Sequence, residues 1–154
     1  MDQDARNRLE NLLDREIEVA RLLASTLAAE RSALTGDSPE AVRQNATDKI
    51  QLLETIERLE NERRSLCAAA DLSVAGNASN ANDLGMAATV AERWRALMEL
   101  IAGCRTANEI NGYIIHVRQH QIRQLVDIVR GGPAITYDPQ GKTFAKALRT
   151  LAQA

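Results

Sequence analysis

Aromatic residues are nearly missing from this sequence, which has one Trp, two Tyr and one Phe in 154 residues. Sheets draw heavily on aromatic and β-branched side chains, so the shortage turns the reading away from strands. Leu and Ala, the stronger helix formers, supply most of the apolar 45%. Cysteine is also scarce: Cys67 and Cys104 lie far apart, each inside a helical pattern, which excludes a metal knuckle or a disulfide framework. They read as small buried hydrophobes in a reducing compartment. No run of about 18 apolar residues occurs, and Met1-Asp2-Gln3-Asp4 opens no basic-then-apolar leader, so a cytosolic protein without membrane insertion is expected. Finally there is little net charge, −2 overall, and with it no general attraction for a polyanion.

What the chain does have is three-and-four spacing. From about Asp4 to Leu34, Leu9, Leu13, Ile17, Ala20, Leu23, Leu27 and Leu34 make one long amphipathic helix. Gly36 closes it, since glycine tolerates the left-handed conformation of a helix end. Ser38 then caps a second helix, with Pro39 at the first helical position. That helix runs to about Ala70 on a stripe of Val42, Ala46, Ile50, Leu53, Ile56, Leu59, Leu66 and Ala70, and its wet face carries the pairs Glu54–Arg58 and Glu60–Arg64. Residues 71–83 are rich in Asn, Ser, Ala and Gly and read as a loop.

The third helix is the longest element, from about Leu84 to Arg130. Its seam is Val90, Trp94, Leu97, Ile101, Cys104, Asn108, Asn111, Ile115, Arg118, Ile122, Leu125 and Val129. At ~1.5 Å per residue it would be roughly 70 Å long, so the molecule is expected to be elongated unless the helix bends. Gly131-Gly132-Pro133 stops it. After turn chemistry at Tyr137–Gly141 a short amphipathic piece follows, with Phe144, Leu148 and Leu151 on one face. The expected fold is all-α, an elongated antiparallel bundle of three long helices plus a short C-terminal one, with 1–133 as bundle and 134–154 as tail of the same domain.

Little in this pattern supports catalysis. His116 and His120 are four apart, yet no third ligand stands at matching spacing, so no metal is expected. Histidine phosphotransfer on a bundle is the enzyme-like alternative, but the Lys and Gly that such a site needs beside its histidine are missing here. Glu10, Asp14 and Glu18 read as a repulsive, solvated acidic face. No phosphate-binding glycine loop or nucleophile elbow occurs, no cofactor is implied, and the chain has no nucleic-acid module. A generic structural or interaction protein is the other alternative. The last quarter, residues 113–154, holds six Lys/Arg against two Asp/Glu, a basic end that reads first as a solvated face.

Two features exceed what a plain bundle needs. Asn108 and Asn111 stand on the apolar seam and Gly112 follows at once. A seam Asn fixes register at some cost in stability, and a mid-helix Gly costs about 1 kcal/mol relative to Ala, pointing to close packing or a bend, or else to a notch for a partner. The tail is the second feature: Ile135, Tyr137, Phe144, Leu148 and Leu151 follow the Gly-Gly-Pro break either as a strap on the bundle or as a grip for a partner helix.

Three stretches together resemble the FlgN-type flagellar export chaperones: Lys49–Glu60 with Arg63, Asn108-Glu109-Ile110-Asn111-Gly112-Tyr113-Ile114-Ile115 with Arg118, and Tyr137 followed by Gly141. The resemblance implies a cytosolic chaperone that binds the C-terminal helices of hook-associated proteins at the hook-filament junction, keeps them unassembled, and delivers them to the export gate. On that basis Ile135, Tyr137, Phe144, Leu148 and Leu151 become candidate cargo contacts, and Tyr137 the candidate for docking to the gate. A long exposed apolar seam also permits a homodimer.

Overall fold

The computed structural model describes residues 3–70 and 88–131. These form three α-helices, α1 (Gln3–Thr35), α2 (Pro39–Ala69) and α3 (Ala88–Val129), with no strand among the described residues. The all-α class is as the spacing predicts. The short C-terminal helix and the start of the third helix at Leu84 lie outside the described residues. The chain divides into two compact units, Met1–Ile115 and His116–Ala154.

The first unit is built on the α1–α2 hairpin. Ser38 is extended (φ −116°, ψ 92°) and its hydroxyl accepts from the Ala41 amide at 3.3 Å, which satisfies one of the orphan donors at the start of α2. Pro39 occupies the first helical turn. Gly36 closes α1 without a left-handed backbone: its amide donates to the Ser32 carbonyl at 3.0 Å, and a Cβ there would meet that same oxygen at 3.3 Å. Glycine's left-handed freedom is therefore not used at this turn. Gly131 is the left-handed one (φ 78°), closing α3.

In the same unit α3 runs parallel to α1 and antiparallel to α2. Thr89 meets Glu10, the Cys104 thiol donates to the Ala20 carbonyl, and Asn111 donates to the Leu27 carbonyl, so both helices advance in the same direction. The core has two parts. Leu9, Leu13, Ile17 and Ala20 of α1 pack with Cys67 of α2 and with Val90, Trp94 and Leu97 of α3. Further along, Leu23 and Leu27 pack with Cys104. Fully burying each such leucine contributes about 1.5–3 kcal/mol.

The wet faces differ in detail from expectation. Arg64 pairs with Glu60 as the spacing predicts, but Arg58 turns to Glu62 at 3.0 Å, where Arg15 of α1 also approaches, leaving Glu54 aside. A carboxylate with two cations in reach outcompetes one four residues back. The face of Glu10 and Asp14 is not a repulsive solvated one: Arg93 of α3 reaches Asp14 at 2.8 Å and Glu10 at 3.8 Å.

In the second unit the described residues, His116–Gly131, are exposed apart from a half-buried Val117. Ile122, Leu125 and Val129 of the expected seam are 59%, 62% and 86% exposed. His116 and His120 are both exposed, and no group of three metal-ligating side chains occurs among the described residues.

Gly103 and Gly112 lie inside α3, and a Cβ at either would meet nothing within 4 Å. The close packing expected around Gly112 is not there. Gly103→Ala and Gly112→Ala should each raise stability by about 0.5–1 kcal/mol through helix propensity and unfolded-chain entropy. Urea melts that show a loss at either position would reveal a contact or bend that needs the glycine.

Candidate functional site

Among the described residues of the first unit four charged or polar side chains are buried, Glu16, Glu30, Arg63 and Asn111. Burying a charge is costly unless it is paired and hydrogen-bonded, and here each has partners on another helix. They form two polar clasps.

At the lower clasp the Arg63 guanidinium of α2 donates through Nε to both Glu16 carboxylate oxygens, at 2.9 and 3.1 Å. The cation also lies over the indole of Trp94 from α3, 4.6 Å from the ring centroid. One arginine thus joins all three helices. Burial pushes the Glu16 carboxyl above its ordinary value, and the attraction of Arg63 offsets only part of that rise.

At the upper clasp Glu30 of α1 accepts from Lys49 of α2 at 2.6 Å and from Asn111 of α3 at 2.8 Å. Asn111 donates also to the Leu27 carbonyl at 2.8 Å, and its own oxygen accepts from Arg31 at 3.1 Å. Its amide is fully engaged in a site with almost no exposure. Lys49 reaches onward to Asn108 at 3.4 Å.

Between the clasps α2 and α3 stand apart over α1, leaving an open groove of about 500 Å³. Leu23, Leu27 and Cys104 form its floor, while Leu53 and Ile56 on α2 face Met98 and Ile101 on α3. Leu53 is 48% exposed and Met98 37%, although the α2 stripe predicted the first to be core. Burial raises the thiol pKa of both Cys104 and Cys67, which suits inert packing groups. The groove offers shape and apolar area.

Of the residues singled out from sequence, Asn111 sits in the upper clasp, Asn108 is exposed at the groove's end, and Gly112 is exposed beside it. Ile135, Tyr137, Phe144, Leu148 and Leu151 lie outside the described residues. Sequence reasoning missed Glu16 and Glu30, and named Arg63 only within the family resemblance and not as a buried partner. The signal was present: the α1 stripe skips from Leu27 to Leu34 and the α2 stripe from Leu59 to Leu66, and Glu30 and Arg63 stand inside those gaps.

The described residues thus form an all-helical scaffold with an open apolar groove in its first unit. The profile of the FlgN protein family matches residues 1–144, and the chain belongs to that family, one of flagellar export chaperones rather than of enzymes. Among curated proteins and among solved structures nothing matches the chain. No helix among the described residues is long and apolar enough to cross a membrane.

The lower clasp gives a test. Arg63→Met keeps much of the stem but strands Glu16, and should cost about 3–5 kcal/mol at pH 7. Losing Arg63 raises the folded-state Glu16 pKa further, so the stability this carboxyl contributes is present below its unfolded value and lost as pH rises. The deficit should therefore narrow between pH 7 and pH 4. Glu16→Leu combined with Arg63→Met should recover most of the loss, and urea titrations at the two pH values check both points.

Proposed function

We propose that the protein is a cytoplasmic export chaperone that binds hook-associated proteins through their C-terminal helices, prevents premature assembly and passes them to the export gate. The observation that carries this reading is the match to the FlgN family over residues 1–144. The physical logic is direct. Filament-type subunits carry amphipathic terminal helices that would associate with one another, and a helical scaffold with uncovered apolar surface can occupy them instead.

In this reading the C-terminal region grips the cargo. Phe144, Leu148 and Leu151 are the apolar anchors, Ile135 and Tyr137 add contacts, and Tyr137 is the candidate for the gate. The uncovered Ile122, Leu125, Val126 and Val129 of α3 extend the apolar surface toward that region in sequence and are also the candidate seam of a homodimer.

A pull-down with the full chain from the cytosol of a flagellated cell should recover hook-associated subunits. Deleting residues 134–154 should abolish that recovery while the helical circular dichroism stays largely intact. Undiminished recovery after the deletion would overturn the role of the tail, and an absence of flagellar subunits from the full-chain eluate would overturn the chaperone reading.

A further inference from the structure

The helix α3 changes character at Asn111. Up to that point it is held: Val90, Trp94, Leu97 and Cys104 are buried, and the Asn111 amide is tied to the Leu27 carbonyl and the Glu30 carboxylate at 2.8 Å each. Asn111 is the last buried residue of the helix. Gly112 follows, the weakest helix former after proline, and a Cβ there would meet nothing within 4 Å, so no packing offsets its cost. From His116 to Gly131 only Val117 is even half-buried. Composition shifts in step. Five Ala stand between Ala88 and Asn111 and none between Gly112 and Arg130, where seven of the residues are Ile or Val. Those β-branched side chains lose rotamer freedom in a helix and favour it less than Ala, Leu or Gln. The last turn also holds Asp127 and lacks a base, the wrong charge for the negative end of the helix dipole.

We propose that the stretch of α3 beyond the upper clasp, residues 116–130, is a conditional helix, one that unwinds in the free chain as a separate unit and completes only when its apolar stripe is covered. Most of the stability of a helix in a protein comes from packing of its apolar face rather than from propensity. Here that face, with Ile122, Leu125, Val126 and Val129, is open to water, and the local sequence is a poor helix former on its own. The helix still extends readily once it is covered. The held part before Asn111 supplies the costly nucleus, and Gly131, whose amide donates to the Ile128 carbonyl at 3.1 Å, fixes where the completed helix stops. The upper clasp sets the limit of the unwinding in the other direction, because release of Asn111 would leave the buried Glu30 carboxylate short of a donor. The inference does not depend on the chaperone reading, since it concerns the free chain.

Amide hydrogen exchange on the full chain, followed from milliseconds to hours over a dilution series, tests this. Protection of Arg118–Val129 should be at least about a hundredfold lower than that of Trp94–Cys104. Protection that is present in concentrated solution and lost on dilution also supports the proposal, a second copy then being the cover. Protection within about tenfold of Trp94–Cys104 at every concentration overturns it. Ile122→Pro, which breaks a helix at its site, should leave the urea midpoint and the protection of Trp94–Cys104 unchanged. A lowered midpoint would show that the stretch belongs to the cooperative core, and overturns its separateness. Asn111→Ala should speed exchange of Arg105–Asn108 about tenfold while Val90–Trp94 changes little. An equal rise at both places, or no rise at either, overturns the clasp as the limit.

Discussion

The arrangement of the first unit depends on keeping its buried charges paired across helices. Glu16 and Arg63 can satisfy one another only when α1 and α2 hold a single register, and Arg63 reaches the Trp94 ring only when α3 holds a matching one. Leucine contacts alone tolerate a slip of one turn, because another leucine arrives at nearly the same place. A stranded carboxylate or guanidinium does not tolerate it, since its desolvation is then uncompensated. The apolar stripes between the clasps provide the driving force.

That division of labour explains the groove. Two satisfied clasps, one at each end, hold α2 and α3 in place without leucine packing all along their length. The middle turns of α2 pack on the core through Leu52 and Ile56, which leaves Leu53 half exposed while Leu59, nearer the lower clasp, is almost fully buried.

The helical class, the turn at Ser38-Pro39 and the burial of both cysteines were legible because they follow from local spacing and capping chemistry. The extent of burial was not. Periodicity says which side chains share a face, and it cannot say whether another element covers that face; Leu125 and Leu97 have the same credentials on the α3 seam and opposite fates. Glu30 and Arg63 were hidden for a related reason. A charged residue inside an apolar stripe reads as an interruption until its partner on another helix is seen, and the paired gaps in α1 and α2 become meaningful only once the hairpin brings those helices together. Asn111 was easier to notice because an amide on a seam is unusual even in isolation. The tail residues taken from the family resemblance stand apart from all of these, as they lie outside the described residues.

The place of Trp94 has one more consequence. It is the sole tryptophan of the chain, stacked beneath the Arg63 guanidinium at one end of the groove. Every photon emitted by indole in this protein therefore originates at the junction of its three helices. Nature has left the molecule an intrinsic optical gauge, one whose brightness and colour follow the electrostatics of that junction without any dye, tag or added chromophore.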